Sequence, residues 1–96
     1  MYASVRRFEG VTDTREAARV VQEGFVPLIS DIPGFVAYFW VDAGDGVMIS
    51  TSLFQSRAGA EESNRRSAAF VRERMTKLLP NPPRITAGEV VVHKAA

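Results

Sequence analysis

From Phe35 to Asp42, and again from Val47 to Phe54, the chain is dense in aromatic and β-branched residues, and Ala43-Gly44-Asp45-Gly46 between them has the chemistry of a tight reversal. This pattern predicts a hairpin. Side chains alternate across a strand, so Phe35, Ala37, Phe39 and Val41 are expected on one face and Val36, Tyr38, Trp40 and Asp42 on the other. Both faces are mostly apolar, and a strand with one solvated face would show one polar side. The hairpin is therefore expected to be covered on both sides.

The rest of the chain supplies a strand and a helix on either side of that hairpin. Tyr2 to Glu9 alternates loosely, with Ala3 and Val5 on one face and Tyr2, Ser4 and Phe8 on the other. Thr12-Asp13 opens a helix in which Asp13 accepts from a first-turn amide and Glu16 reaches back, a capping box. Ala17, Val21, Phe25 and Leu28, with Val20 beside them, form its apolar stripe. Gly24 and Pro27 conflict with that helix, since glycine costs about 1 kcal/mol against alanine and proline removes an amide. A kink or an end is expected near Pro27, before a turn through Ser30-Asp31-Ile32-Pro33-Gly34. Such a kink would also hold the helix off the sheet and leave a pocket beneath it. Ser56 caps a second helix, which carries Ala60, Ala68, Val71, Met75 and Leu78 at helical spacing and stops at Pro80-Asn81-Pro82-Pro83. Ile85 to Lys94 reads as a last strand, with Val90-Val91-Val92 expected to be covered on both faces.

The order strand, helix, strand, strand, helix, strand is the split βαβ arrangement, an α+β ferredoxin-like fold. It places two helices on one face of a four-stranded antiparallel sheet and leaves the other face bare. Two helices cannot cover both faces of so apolar a hairpin, so a second copy of the chain is the expected partner, its sheet packed on the bare face. On this reading Trp40→Glu is expected to disrupt the interface. At 96 residues the chain reads as a single domain spanning 1–96.

Composition narrows the function classes. A net charge of +1 gives no strong field for nucleic acid or membrane. Arg65, Arg66, Arg72, Arg74 and Lys77 are interleaved with Glu61, Glu62 and Glu73, which reads as a solvated helix face rather than a phosphate-binding patch. No apolar run is long enough for a membrane span, and the N-terminal residues lack a secretory core, so a cytoplasmic location is expected. Without cysteine there is no thiolate site and no thiol nucleophile, and no metal-spaced cluster, glycine-rich phosphate loop or Ser-His-Asp set is present. His93, the one histidine, is expected to be a surface or interface residue.

Three features together resemble the antibiotic biosynthesis monooxygenase family of dimeric α/β barrels, from Tyr2 to about Lys94: Phe25-Val26-Pro27-Leu28-Ile29 leading into Ile32-Pro33-Gly34-Phe35, a Tyr38 after that glycine, and Phe54 preceding a helix with Asn64. The resemblance implies a homodimer and, in one part of the family, oxygenation of electron-rich aromatic substrates with no metal or flavin. The haem-degrading branch is similar in layout, but it needs an asparagine on the first strand, a tryptophan closing the third and a histidine about ten residues later. This chain has Ser4 or Arg6, Phe54 and Asn64 at those places, which disfavours haem degradation. No cofactor is expected.

Such an oxygenase needs an apolar pocket that desolvates the substrate's anion and a few polar groups that hold its oxygen and manage a proton. Tyr38, Trp40 and Asn64 are the candidate catalytic residues, each pairing a hydrogen-bonding group with a position near the expected cavity. Phe54, Met48 and Phe25 are the candidate lining residues, although each suits ordinary packing equally well. Arg6 and Arg7 point to opposite faces, so at most one reaches a cavity, and a strand-end salt bridge is the expected role. The function expected is a cofactor-independent monooxygenase acting on a small aromatic or quinone-like molecule; the alternative is a non-catalytic small-ligand-binding or dimeric assembly module.

Overall fold

The computed structural model describes residues 1–96. Four strands, β1 (Tyr2–Phe8), β2 (Phe35–Gly44), β3 (Val47–Phe54) and β4 (Arg84–Glu89), form one antiparallel sheet in the order β2-β3-β1-β4. Three α-helices, α1 (Thr14–Val20), α2 (Val26–Ser30) and α3 (Arg57–Arg74), lie in the connections, with α1 and α2 joined by a π-helical turn, Val21–Phe25. The expected ferredoxin-like α+β fold is thus present, and its two crossovers leave one sheet face without helices.

The hairpin turns on Asp45 and Gly46, both at positive φ, which is the two-residue geometry that matches strand twist. Its alternation is broken once. A bulge between Phe35 and Ala37 leaves Val36 unpaired, so Phe35 joins Tyr38 and Trp40 on the helix side instead of lying with Phe39 and Val41. Trp40 therefore packs against Phe8, with ring centroids 5.8 Å apart, and does not lie on the bare face. That corrects its expected place at an interface; the exposed aromatic there is Phe39, 53% accessible.

The first helical rod starts as the sequence predicts, with the Asp13 carboxylate accepting from the Glu16 amide at 3.0 Å. Glu16 does not close the capping box; its carboxylate binds Arg19, which also reaches Glu23. Near Pro27 the rod widens instead of breaking. The π turn absorbs an extra residue just before the proline, where an ordinary helix would bring the proline ring against a carbonyl. On a 3.6-residue helix a repeat of four drifts by about 40° per step, and the wide turn takes up that drift. Its consequence is a buried stripe of Ala17, Val21, Phe25 and Ile29, with Leu28 exposed where the sequence had placed it inside.

Ser56 caps α3 by accepting from the Gly59 amide. The buried face of α3 is Gly59, Ala60, Ser63, Ser67 and Phe70; Ala68 is exposed, Leu78 lies beyond the helix, and Arg74 is its last residue. On its outer face Arg57 pairs with Glu61, and Arg65 and Arg66 with Glu62. The last strand is shorter than expected. It ends at Glu89, one further hydrogen bond joins the Val90 amide to Met1, and Val91 and Val92 are each 87% accessible rather than covered. No helix is long and apolar enough to cross a membrane.

Candidate ligand site between helices and sheet

The helix-facing side of the sheet ought to be its driest surface, and at both ends it is: Phe8, Met48 and Phe54 are fully buried in the apolar core. Its centre is polar. Alternation along β1 and β3 sends Ser4, Arg6, Ser50 and Ser52 inward between those apolar residues, and all four are buried. Arg6, only 1% accessible, is the largest side chain among them and forms none of the chain's ion pairs. The expected strand-end salt bridge belongs to Arg7, which meets Glu9 at 3.6 Å.

Three side-chain oxygens accept from the Arg6 guanidinium. Nε and Nη2 donate to Ser50 Oγ at 3.3 and 3.2 Å, Nη2 also to Ser52 Oγ at 2.5 Å, and Nη1 to Asn64 Oδ1 at 2.5 Å. Asn64 Oδ1 also accepts from Ser4 Oγ at 2.6 Å. On the opposite side Ser50 Oγ lies 2.7 Å from the Tyr38 hydroxyl. One continuous network therefore runs from Asn64 on α3, through Arg6 on β1 and Ser50 on β3, to Tyr38 on β2. Desolvation pushes the Arg6 pKa down, opposed by the Tyr38 oxygen. Burial likewise raises the Tyr38 phenol, and the Ser50 hydrogen bond and the Arg6 charge oppose that rise.

Beside Tyr38 the rod stands away from the sheet and leaves an open hollow of about 520 Å³. Phe35, Ala37, Tyr38 and Trp40 of β2 form one wall, and Ala18, Val21, Gln22 and Val26 of the rod form the other. A second hollow of about 440 Å³ lies between α3 and β4, with Asn64 at its wall and Arg72, Pro82, Pro83 and Ile85 around it. The network thus has an open space at each end. The indole Nε1–H of Trp40 is buried with no acceptor, a costly state for a polar group.

The structure brings Tyr38, Trp40 and Asn64 to this region, Tyr38 and Asn64 through hydrogen bonds and Trp40 through the shared wall. Phe25, Met48 and Phe54 lie in the core and line neither hollow; Phe25 supports Tyr38 edge-on, with centroids 5.4 Å apart. Arg6 and the three serines were not among the candidates. Their signal was present as polar residues on the inward positions of two strands whose neighbours on the same face are Phe8, Met48 and Phe54.

No family model matches the chain, and no curated protein matches its sequence. Solved structures do share its fold. A protein of unknown function from Nitrosomonas europaea is 24% identical, with a TM-score of 0.75 over 99% of this chain and 93% of that one. A monooxygenase from the gene ActVA-Orf6 of Streptomyces coelicolor, solved with the ligand nanaomycin D, is 17% identical with a TM-score of 0.75 over 99% and 91%. A point mutant of MhuD, solved with two manganese protoporphyrin IX molecules per active site, is 12% identical with a TM-score of 0.73 over 100% of both chains. The resemblance read in the sequence therefore holds at the level of fold. A porphyrin does not fit the residues here: Asn64 Oδ1 is already taken by Ser4 and Arg6, and the one imidazole, His93, is exposed beyond β4. No group of three metal-ligating side chains is present.

Proposed function

We propose that the chain, as one domain over residues 1–96, binds a small aromatic or quinone-like molecule in the hollow beneath α1 and oxygenates it without a bound cofactor. One observation carries this reading: an open, aromatic-walled hollow whose phenol, Tyr38, is tied to a buried guanidinium. The fold shared with a monooxygenase solved with nanaomycin D agrees with it.

The chemistry such a site supports begins with desolvation. Phe35 and Trp40, on the sheet wall, give a flat ring aromatic surface to stack on, and the apolar walls remove water from an ionised hydroxyaromatic, which raises its tendency to give electrons to dioxygen. One oxygen atom then bonds to ring carbon while the other leaves as water, taking the ring hydrogen and the hydroxyl proton. The substrate supplies the electrons, and a phenol plus dioxygen becomes a quinone plus water. Tyr38 is the group that holds the substrate oxygen and moves a proton; Trp40 offers the face of its ring, and Asn64 fixes the far end of the network.

Oxygen uptake by the purified protein against a panel of hydroxynaphthalenes and anthrones tests the reading. Quinone should form, and Tyr38→Phe and Trp40→Phe should slow its formation by about tenfold or more, the range of one proton-transfer group. No uptake, together with ligand binding indifferent to both substitutions, would remove it. A non-catalytic carrier is the second reading, favoured by how few polar groups reach the hollow; it gives binding without oxygen uptake. A dry assembly module predicts a closed interior, and the open hollow beside Tyr38 counts against that version.

The same reading takes a second copy of the chain as partner. Val5, Ile49, Leu53, Phe39 and Val41 share the helix-free face, where no element of this chain covers them.

A further inference from the structure

We propose that Arg6 is a positioning residue: held under the helices with no carboxylate, it acts through Ser50 to keep the Tyr38 hydroxyl a hydrogen-bond donor, so that the hollow selects ligands presenting acceptor oxygens, an ionised hydroxyl above all. The inference rests on the reading of that hollow as an aromatic-ligand site and names the form in which the ligand is bound.

A hydroxyl oxygen has two lone pairs and one proton. Ser50 Oγ accepts from Arg6 Nε–H and from Arg6 Nη2–H, which fills both lone pairs. A guanidinium has donors only, so this direction cannot reverse. The one group Ser50 has left for its 2.7 Å contact with Tyr38 is its own proton, donated to the phenol oxygen. Tyr38 therefore keeps its O–H for another acceptor, and the protein provides none.

The rest of the hollow is mostly carbon. Trp40 lines it with its ring, while its indole N–H is buried without an acceptor. Apart from Tyr38 itself, Gln22 is the one polar side chain on the wall able to accept; Ala18, Val21, Val26 and Phe35 offer carbon. At the other end of the network Asn64 Oδ1 has both lone pairs occupied by Ser4 and Arg6. A molecule bringing donors alone leaves the Tyr38 O–H unmet, whereas a carbonyl or an oxyanion meets it. The positive charge behind Ser50 then separates these two. No carboxylate is paired with Arg6, so its field is uncancelled at the Tyr38 oxygen, two hydrogen bonds away. In a dry interior that field favours a ligand that carries a negative charge.

The test uses 2-hydroxyanthraquinone, whose absorbance reports ionisation of its hydroxyl, titrated with pH free and bound to the intact protein. The bound hydroxyl should ionise about one pH unit or more below the free one, equivalent to about tenfold tighter binding of the anion. Arg6→Met, which keeps the length of the side chain without its charge, should abolish that shift while the neutral form still binds, and Arg6→Lys should restore most of it. Tyr38→Phe, which removes the donor and leaves the charge, should reduce the shift by at least half, and it remains informative where Arg6→Met does not fold. A probe that binds the parent protein with unshifted ionisation, or a shift that survives in Arg6→Met, overturns the role of Arg6 and leaves the aromatic site standing. Absence of any binding overturns the aromatic site itself, and this inference with it.

Discussion

At the scale of single residues, the interior is shaped by close contacts as much as by area. A Cβ at Gly59 would stand 2.7 Å from Phe54 Cδ1, inside a fully buried contact. Helix propensity alone favours alanine there by about 1 kcal/mol, but overpacking against an immobile ring costs about 1–3 kcal/mol. Gly59→Ala is therefore expected to lower stability, measured by denaturant unfolding, and an increase would show that Phe54 yields. Gly24, a conflict when read in sequence, has the same explanation, since a Cβ there would meet Phe70 Cζ at 2.7 Å. Tyr38 gives a prediction in alkali. Burial raises its folded pKa above the ordinary value of 10.0. As pH climbs past 10 the unfolded chain releases the phenol proton while the folded chain keeps it, so stability present below that pH is lost on the way to the folded pKa. Tyr38→Phe should make the decline of unfolding free energy between about pH 10 and 11 shallower than in the parent; identical slopes would show that Tyr38 is not insulated. Tyr38 itself was legible in sequence as an inward aromatic, but Arg6 was not. A buried arginine with no acid nearby costs folding free energy, and local pattern rules assign such a residue to the surface.

Secondary-structure elements were legible where one rule acted alone and misread where two competed. Asp45-Gly46 had one solution, the two-residue turn, and the strands beside it fell into place. In the first rod the 3.6-residue period and Pro27 disagreed, and the π turn resolved them by shifting the buried stripe from Leu28 to Ile29. The bulge at Val36 did the same for Phe35, and it supplied the hollow with an aromatic wall residue that simple alternation had put on the opposite face. In α3 the buried face runs through Ser63 and Ser67, and the stripe was read from Ala68 and Leu78 because apolar side chains alone were followed. The outer helix faces carry the acid response. Glu16 is held below its ordinary 4.5 by its hydrogen bond from Arg19, and Glu62 by those from Arg66 and Arg65. Their contribution is complete above pH 4.5 and disappears as pH falls through the lowered folded values. All lie at the surface within reach of solvent, so screening should weaken it: the acid decline in stability should be smaller at 1 M salt than at low salt, and Glu16→Gln with Glu62→Gln should flatten it further. An acid limb unchanged by both would assign the decline to other groups.

At the scale of the whole molecule, one sheet carries two surfaces with opposite requirements. Its helix side encloses a charge and a hollow; its other side exposes Phe39 and Val41 beside the half-covered Val5, Ile49 and Leu53. These residues have no cover from α1, α2 or α3, all of which lie on the first side. A sheet face of this composition is stable in water when it packs on another, and two copies related by a two-fold axis present the same face to each other. The register of β2 makes the idea testable with neighbouring residues, because Phe39 and Trp40 point to opposite sides. Phe39→Glu puts a charge at the proposed contact and leaves the core intact, so the protein should remain folded while light scattering reports a fall from twice the chain mass to the 10.6 kDa of one chain. Trp40→Glu puts the charge against Phe8 and beside the hollow, so it should lower stability and ligand binding before it changes assembly. A parent protein that scatters as one chain in dilute buffer, or a Phe39→Glu protein that stays paired, would place the contact on another surface and leave the bare face in need of a different partner.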